Sequence, residues 1–329
     1  MDLYELDVIR TAHSRTDLRF APGEVPLSGG TWLFSEAQPD IRGMVDLTAL
    51  GWEPITLGET TLGIAGTCTF AELAELTPPE LRAAAPGSPF GHRGAVGGRA
   101  VGDQVAGGCV TGAGATGEST PSGNSTLGDP SIGRVLSAAI APEAHPLFWQ
   151  CATALLGSEK IWRFATVGGN IALSLAAAPM TALGAALDAE ALIWTPDGGE
   201  RRHPVASLVT GNHQNSLAHG EVLRSIEIPL SALTARSGFR RIALSPLGRS
   251  GTVVIARVDD SGEAVFTITA GTPRPRQFRF DEVPSARALR NTVLGIDEWF
   301  SDPHGAPDWR RAMSALLAEQ LRIELGGAA

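Results

Sequence analysis

The 329-residue chain has one lysine, one tyrosine and three cysteines, and each scarcity removes a class of function. The lone Lys160 is not preceded by the phosphate-cradling glycines of a Walker loop, so nucleotide hydrolysis of that type is excluded. Cys68, Cys109 and Cys151 are odd in number and far apart. They build neither a disulfide framework nor a four-thiolate zinc or iron–sulfur site within one chain. Lysine and arginine total 26 against 35 acidic residues, and the basic ones are scattered, so no nucleic-acid partner is expected. No apolar run is long enough for a membrane span, which needs roughly 20 residues. The nearest, residues 171–187, is broken by Ser174, Pro179, Thr181 and Gly184 and reads as buried core. Asp2, Glu5 and Asp7 stand where a secretory signal needs positive charge, so the cytoplasm is the expected compartment. The sequence contains no G-x-S-x-G, H-E-x-x-H or S-x-x-K. Hydrolase and zinc-protease chemistry therefore lack a nucleophile or ligand pair at workable spacing.

What remains is a chain with enough apolar residues for two or three compact units. Residues 44–50, 54–57 and 61–66 alternate apolar runs with turn signals and predict short strands of an open sheet. Thr69 and Glu72 form an S/T-x-x-E pattern that starts a helix through Leu73 and Leu76. Fourteen of the 39 glycines then fall between 87 and 133, a stretch with a single aromatic, Phe90. Such a segment buries too little to offset its ordering entropy, so residues 87–142 read as a loosely packed insertion; a shifted reading frame gives the same composition. Helical periodicity resumes at 145–156, and a helix with an early proline is predicted over 176–187. Strands follow at 191–194 and 221–229. The last part reads as strands near 238–244, 252–258 and 264–270, then helices near 285–294 and 308–325. Strands followed by helices indicate an α+β unit, with a boundary placed at 232/233.

Residues 112–117 match G-x-G-x-x-G, but no strand feeds the motif and no helix leaves it, so it is a chance product of a glycine-rich tract. His213 and His219 lie in a loop with no paired carboxylate and read as solvated. With protein nucleophiles and acids missing, a cofactor is the natural carrier of any reaction. Two Gly-Gly turns offer a place for one. In 27–33 (LSGGTWL), Ser28, Thr31 and the backbone amides can donate to phosphate oxygens, and in 165–171 (ATVGGNI) Thr166 and Asn170 flank a second such turn. Two unrelated hairpin or helix-entry turns remain the alternative at this point.

These segments resemble the FAD-binding subunits of molybdenum hydroxylases, such as the medium subunit of xanthine or carbon monoxide dehydrogenase. LSGGTWL and TVGGNI are similar to that family's A-G-G-T-x-L and T-I-G-G-N-I loops, which grip the FAD pyrophosphate. VDL at 45–47, CTFAEL at 68–73, ALDA at 186–189 and GEVLRSIEIP at 220–229 follow in the family's order. The resemblance covers about 25–76 and 145–258. It implies an α+β fold: a two-part FAD-binding domain of the vanillyl-alcohol-oxidase-like (PCMH) type over 1–232, then a C-terminal three-stranded sheet with helices over 233–329. It implies that FAD is held by Leu27, Ser28, Gly29, Gly30, Thr31, Trp32 and Leu33 and by Ala165, Thr166, Gly168, Gly169 and Asn170. Leu156 and Leu223 would wall the flavin or adenine, and Arg240 would stand where the family often has a lysine. Leu175, Ala176 and Pro179 occupy the places of a family segment that carries an acid, and Trp32 replaces a polar residue. The implied activity is electron transfer: FAD accepts electrons from a 2Fe–2S small subunit fed by a molybdopterin-binding large subunit and passes them to NAD⁺, a quinone or oxygen. A self-contained flavin oxidase and a degenerate flavin-domain scaffold are the other readings.

Overall fold

The computed structural model describes residues 6–78, Arg82 and residues 145–326. The glycine-rich stretch, its G-x-G-x-x-G and Cys109 lie outside the described residues. The chain opens with β1 (Val8–Thr11), β2 (Glu24–Leu27) and β3 (Gly43–Asp46), a parallel sheet in the order β1-β3-β2. β3 pairs on both sides, which is why Met44 and Val45 are fully buried. The expected single open sheet over residues 44–66 is therefore divided. β4 (Ile55–Leu57) and β5 (Thr61–Ala65) belong instead to an antiparallel sheet in the order β4-β5-β10-β6-β7. Its other strands are β6 (Glu190–Trp194), β7 (Glu200–Pro204) and β10 (Val222–Pro229).

Among the described residues, five helices lie between β5 and β6. The first, α1 (Phe70–Glu75), starts on the capping box the sequence predicts: Thr69 Oγ1 accepts from the Glu72 amide, and the Thr69 amide donates to the Glu72 carboxylate. Next come α2 (His145–Ala154), α3 (Glu159–Trp162), α4 (Val167–Leu173) and α5 (Pro179–Ala186). α5 is buried at every position and carries its proline at the first helical residue, where the missing N–H costs nothing. The short elements α6 (Val205–Leu208), β8 (Val209–Gly211), β9 (Gln214–Asn215) and α7 (Leu230–Leu233) complete this part.

The C-terminal part holds β11 (Arg236–Ile242), β12 (Thr252–Val258), β13 (Ala264–Thr269) and β14 (Arg276–Phe280) in sequential antiparallel order, followed by α8 (Ala286–Leu294) and α9 (Pro307–Glu324). The three predicted strands are present and β14 adds a fourth. It escapes a sequence reading because Pro273 and Pro275 precede it and arginines alternate with its phenylalanines, a composition suited only to a sheet edge. β12 is buried throughout because each face meets a different core. Val253 and Ile255 join the core of the first part, whereas Val254, Ala256 and Val258 pack with Phe266, Leu289, Val293 and Leu321.

Polar bonds fix the two parts to each other. Asp188, at φ 52° just after α5, accepts from Arg257, Arg279 and Gln277 of the C-terminal sheet. Arg257 Nη1 also donates to the Ala186 carbonyl at 2.6 Å, and Gln277 Nε2 to that of Ala185 at 2.7 Å. Burial pushes the Asp188 pKa up, but the bonds from Arg279, Arg257 and Gln277 outweigh it and hold the carboxyl below its ordinary value. A depressed carboxyl contributes stability above its unfolded pKa of about 3.9, and that contribution is lost as pH falls through the lower folded value. Asp188→Asn is expected to destabilise the protein by about 2–3 kcal/mol at neutral pH. It should also flatten the loss of melting temperature below about pH 4, which thermal melts over a pH series read directly.

Candidate functional site

A cleft of about 610 Å³ runs between the parallel sheet, the start of α4 and the start of β10. Its size falls in the range of about 300–1,000 Å³ of clefts that enclose small molecules and cofactors. The first wall is the loop leaving β2. Gly30 takes a left-handed φ of 68°, and the Phe34 and Ser35 amides turn back onto the carbonyls of Gly30 and Trp32. The loop reaches α3's exit so closely that a Cβ on Gly29 would lie 1.7 Å from the Phe164 carbonyl oxygen.

The second wall differs from its sequence reading. Residues 166–170 are not a turn but a capped helix start, with Thr166 Oγ1 accepting from the Gly169 amide at 3.2 Å. The glycines hide this, because they are poor helix formers and no Glu or Gln completes a capping box. The Val167 amide donates to Cys68 O at 2.8 Å, that of Gly168 to Gly66 O at 2.9 Å, and that of Asn170 to Thr166 O at 2.9 Å. All four N–H groups of residues 167–170 are thus consumed inside the protein. Gly168 serves close approach instead, since a Cβ there would sit 2.7 Å from both Cα and O of Gly66. Asn170 Oδ1 accepts from the Met180 amide at 3.0 Å, which leaves its Nδ2 without a partner among the described residues.

Free donors concentrate in the first loop. Among the described residues, no hydrogen bond is made by the N–H groups of residues 28–33. Ser28 Oγ is buried and equally unpartnered. An unpaired buried hydroxyl is costly, and six adjacent free amides form a field suited to an anion.

Thirteen of the fifteen residues predicted for the site line this one cleft: Ser28, Gly29, Gly30, Thr31, Trp32, Leu33, Leu156, Ala165, Thr166, Gly168, Gly169, Asn170 and Leu223. Leu27 lies behind it as buried core, its carbonyl accepting from the Leu47 amide. Arg240 is elsewhere, on β11, where it pairs with Glu324 of α9. The side chain whose position fits a cation at the cleft is Arg249, in the β11–β12 loop, and no periodicity or motif marks it. His219, read as a solvated loop residue, sits on the cleft rim, and His213 packs on Trp32 with ring centroids 5.5 Å apart.

The acids of the cleft are Glu24 and Glu221. Arg10 holds the Glu24 carboxyl below its ordinary pKa, and Arg201 does the same for Glu221, each through two hydrogen bonds. Both carboxylates stay ionised and neutralised, which suits them to shaping the cleft. Burial pushes the Cys68 thiol up, so it is an inert core group. No group of three His, Cys, Asp or Glu side chains suited to a metal occurs among the described residues, and no helix there is long and apolar enough to cross a membrane.

Comparison with known proteins agrees with this geometry. The family described as "FAD binding domain in molybdopterin dehydrogenase" matches residues 15–231. No curated protein matches. Among solved structures, the chain is similar to quinoline 2-oxidoreductase from Pseudomonas putida 86, at 17% identity and a TM-score of 0.68 over 99% of this chain and 98% of that one. It is similar to carbon monoxide dehydrogenase from Hydrogenophaga pseudoflava at 15% identity and a TM-score of 0.67, covering 98% and 97%. Reconstituted CO dehydrogenase from Oligotropha carboxidovorans gives 17% and 0.66, covering 98% and 99%. At such identities these likenesses establish the fold.

The unpartnered hydroxyl yields a two-sided prediction. Ser28→Ala removes a buried polar atom with nothing to bond, so it should stabilise the ligand-free protein by about 1 kcal/mol, read as a raised melting temperature. The same change should weaken any ligand whose oxygen meets Ser28. A variant less stable without ligand would show that the hydroxyl already has a partner.

Proposed function

The chain belongs to the family of FAD-binding domains in molybdopterin dehydrogenases, and from that premise we propose that it is the FAD-carrying electron-transfer subunit of a molybdenum hydroxylase. In this reading electrons arrive from a 2Fe–2S small subunit served by a molybdopterin-binding large subunit and leave for NAD⁺, a quinone or oxygen. The names of two similar structures, CO dehydrogenases described with a molybdenum cofactor or as Cu,Mo enzymes, support the choice of a molybdenum partner.

The observation that carries the cofactor assignment is the donor field of residues 28–33 beside the buried, orphaned Ser28 Oγ. A diphosphate meets both needs at once: it satisfies Ser28 and it accepts from several amides without a lysine, of which the cleft has none. Thr166 and Asn170 face the same space from the other wall, with the Asn170 Nδ2 free to donate. Leu223 and Leu156 supply apolar surface for a planar ring; Leu156 is 60% exposed without one. Bound FAD supplies the redox chemistry, and the protein contributes donors, shape and exclusion of water. We assign no protein acid or base. Residues 1–232, through the five-stranded sheet and into α7, form the FAD-binding unit in this reading, and residues 233–329 the C-terminal one.

The full chain purified without added flavin is expected to carry a visible flavin spectrum, or to acquire one on addition of FAD. Gly29→Ala, which forces the 28–33 loop off the Phe164 carbonyl, should abolish that uptake. A colourless chain that takes up no FAD contradicts the proposal. Co-purification with iron–sulfur and molybdenum subunits then separates a subunit from a free oxidase.

A further inference from the structure

Behind Trp32 lies a second cavity of about 220 Å³, between the first part of the chain and the C-terminal part. Trp32, Leu175 and Arg249 line both spaces and so form the partition between them. The polar groups of the second cavity are not balanced. Arg310, almost fully buried, spends its guanidinium on the carbonyls of Gly305, Gly251 and Ala270 and on the Asp302 carboxylate. Arg249 has no hydrogen bond or ion pair among the described residues. The two guanidiniums are near enough to sense each other: burial lowers the Arg310 pKa, Asp302 opposes this, and the charge of Arg249 adds to the lowering. Asp302 thus cancels one of two positive charges and one is left over.

Among the other lining groups, Asn212 and Ser250 offer donors, and His213, packed on Trp32, offers a ring nitrogen whose role depends on its tautomer. Asn212 Oδ1 is occupied by the Ala176 amide at 2.9 Å, which leaves its Nδ2 free. Ser250 Oγ accepts from Arg241 Nε at 2.8 Å and keeps its own proton to give. Aromatic rings of Trp32 and Phe300 cover part of the remaining wall. One uncancelled positive charge, convergent donors and apolar rings in a volume of about seven liquid waters describe a small ligand with a charged end and an apolar body.

We propose that this cavity binds a small organic monoanion, a carboxylate held by Arg249, Asn212 and Ser250 with its apolar body against Trp32 and Phe300. The charge count selects a monoanion over a phosphate dianion. The rings select an organic acid over an inorganic ion. Asn212 and Ser250 line only this second cavity, whereas Arg249 borders the larger cleft as well, so the assignment is tested on the chain without added FAD.

Benzoate is a suitable probe. Isothermal titration calorimetry on the full chain at fixed ionic strength should show saturable binding of one benzoate per chain, with no binding of the neutral isostere benzyl alcohol. Arg249→Gln should weaken benzoate about ten-fold or more, as expected for loss of a charge-assisted bond, whereas Arg249→Lys should retain most of the affinity. Absence of saturable benzoate binding, equal binding of benzyl alcohol, or an unchanged affinity in Arg249→Gln would overturn the assignment. If Arg249→Gln does not fold, the comparison of benzoate with benzyl alcohol on the unaltered chain still decides.

Discussion

Backbone approaching backbone without an intervening side chain is the contact on which the site depends. It occurs three times in sequence around the cleft. Gly29 meets the Phe164 carbonyl, Gly168 meets Gly66, and Gly66 meets the Leu223 carbonyl, where an added Cβ would lie 2.3 Å away. Each contact ties a different element to the next: the loop after β2, the start of α4, the end of β5 and the start of β10. None can accept a methyl group without displacement of a main chain. The cleft is therefore fixed by where side chains are missing, and its two walls cannot move independently.

That arrangement divides the work of the two glycine pairs. Both look like phosphate cradles in the sequence, yet only the first keeps its amides free. The second is closed by its own cap and by the carbonyls of Gly66 and Cys68, so its glycines bring α4 close and its side chains, Thr166 and Asn170, face the ligand space. Anion recognition is thereby concentrated at one end, next to a hydroxyl that has no other partner. The acids at the cleft carry their own arginines, so they place little uncompensated negative charge against an anionic ligand.

Much of this was legible in the chain itself. The Thr69 cap, strand β10, the alternation of β12 and the two C-terminal helices all follow from local patterns, and the ordered motifs brought thirteen residues to one cleft. What a sequence does not display is how hydrogen bonds are shared. The amides of Gly168 and Gly169 look as available as those of Gly29 and Gly30 until the Gly66 carbonyl and the Thr166 hydroxyl are in place. Arg249 and Arg240 differ in the same way. They lie nine residues apart and resemble each other locally, but Glu324, far along the chain, captures one and no described residue captures the other. β3 and β14 were misread or missed because partner strands, and not their own residues, decide which sheet they join.

Amide hydrogen exchange on the full chain, with and without FAD, tests the central claim most directly. The N–H groups of residues 28–33 should exchange freely without FAD and become protected when it is added, while those of residues 167–170, already bonded, should be protected in both states. Protection that appears on residues 167–170 alone, or nowhere in the cleft, would contradict the account.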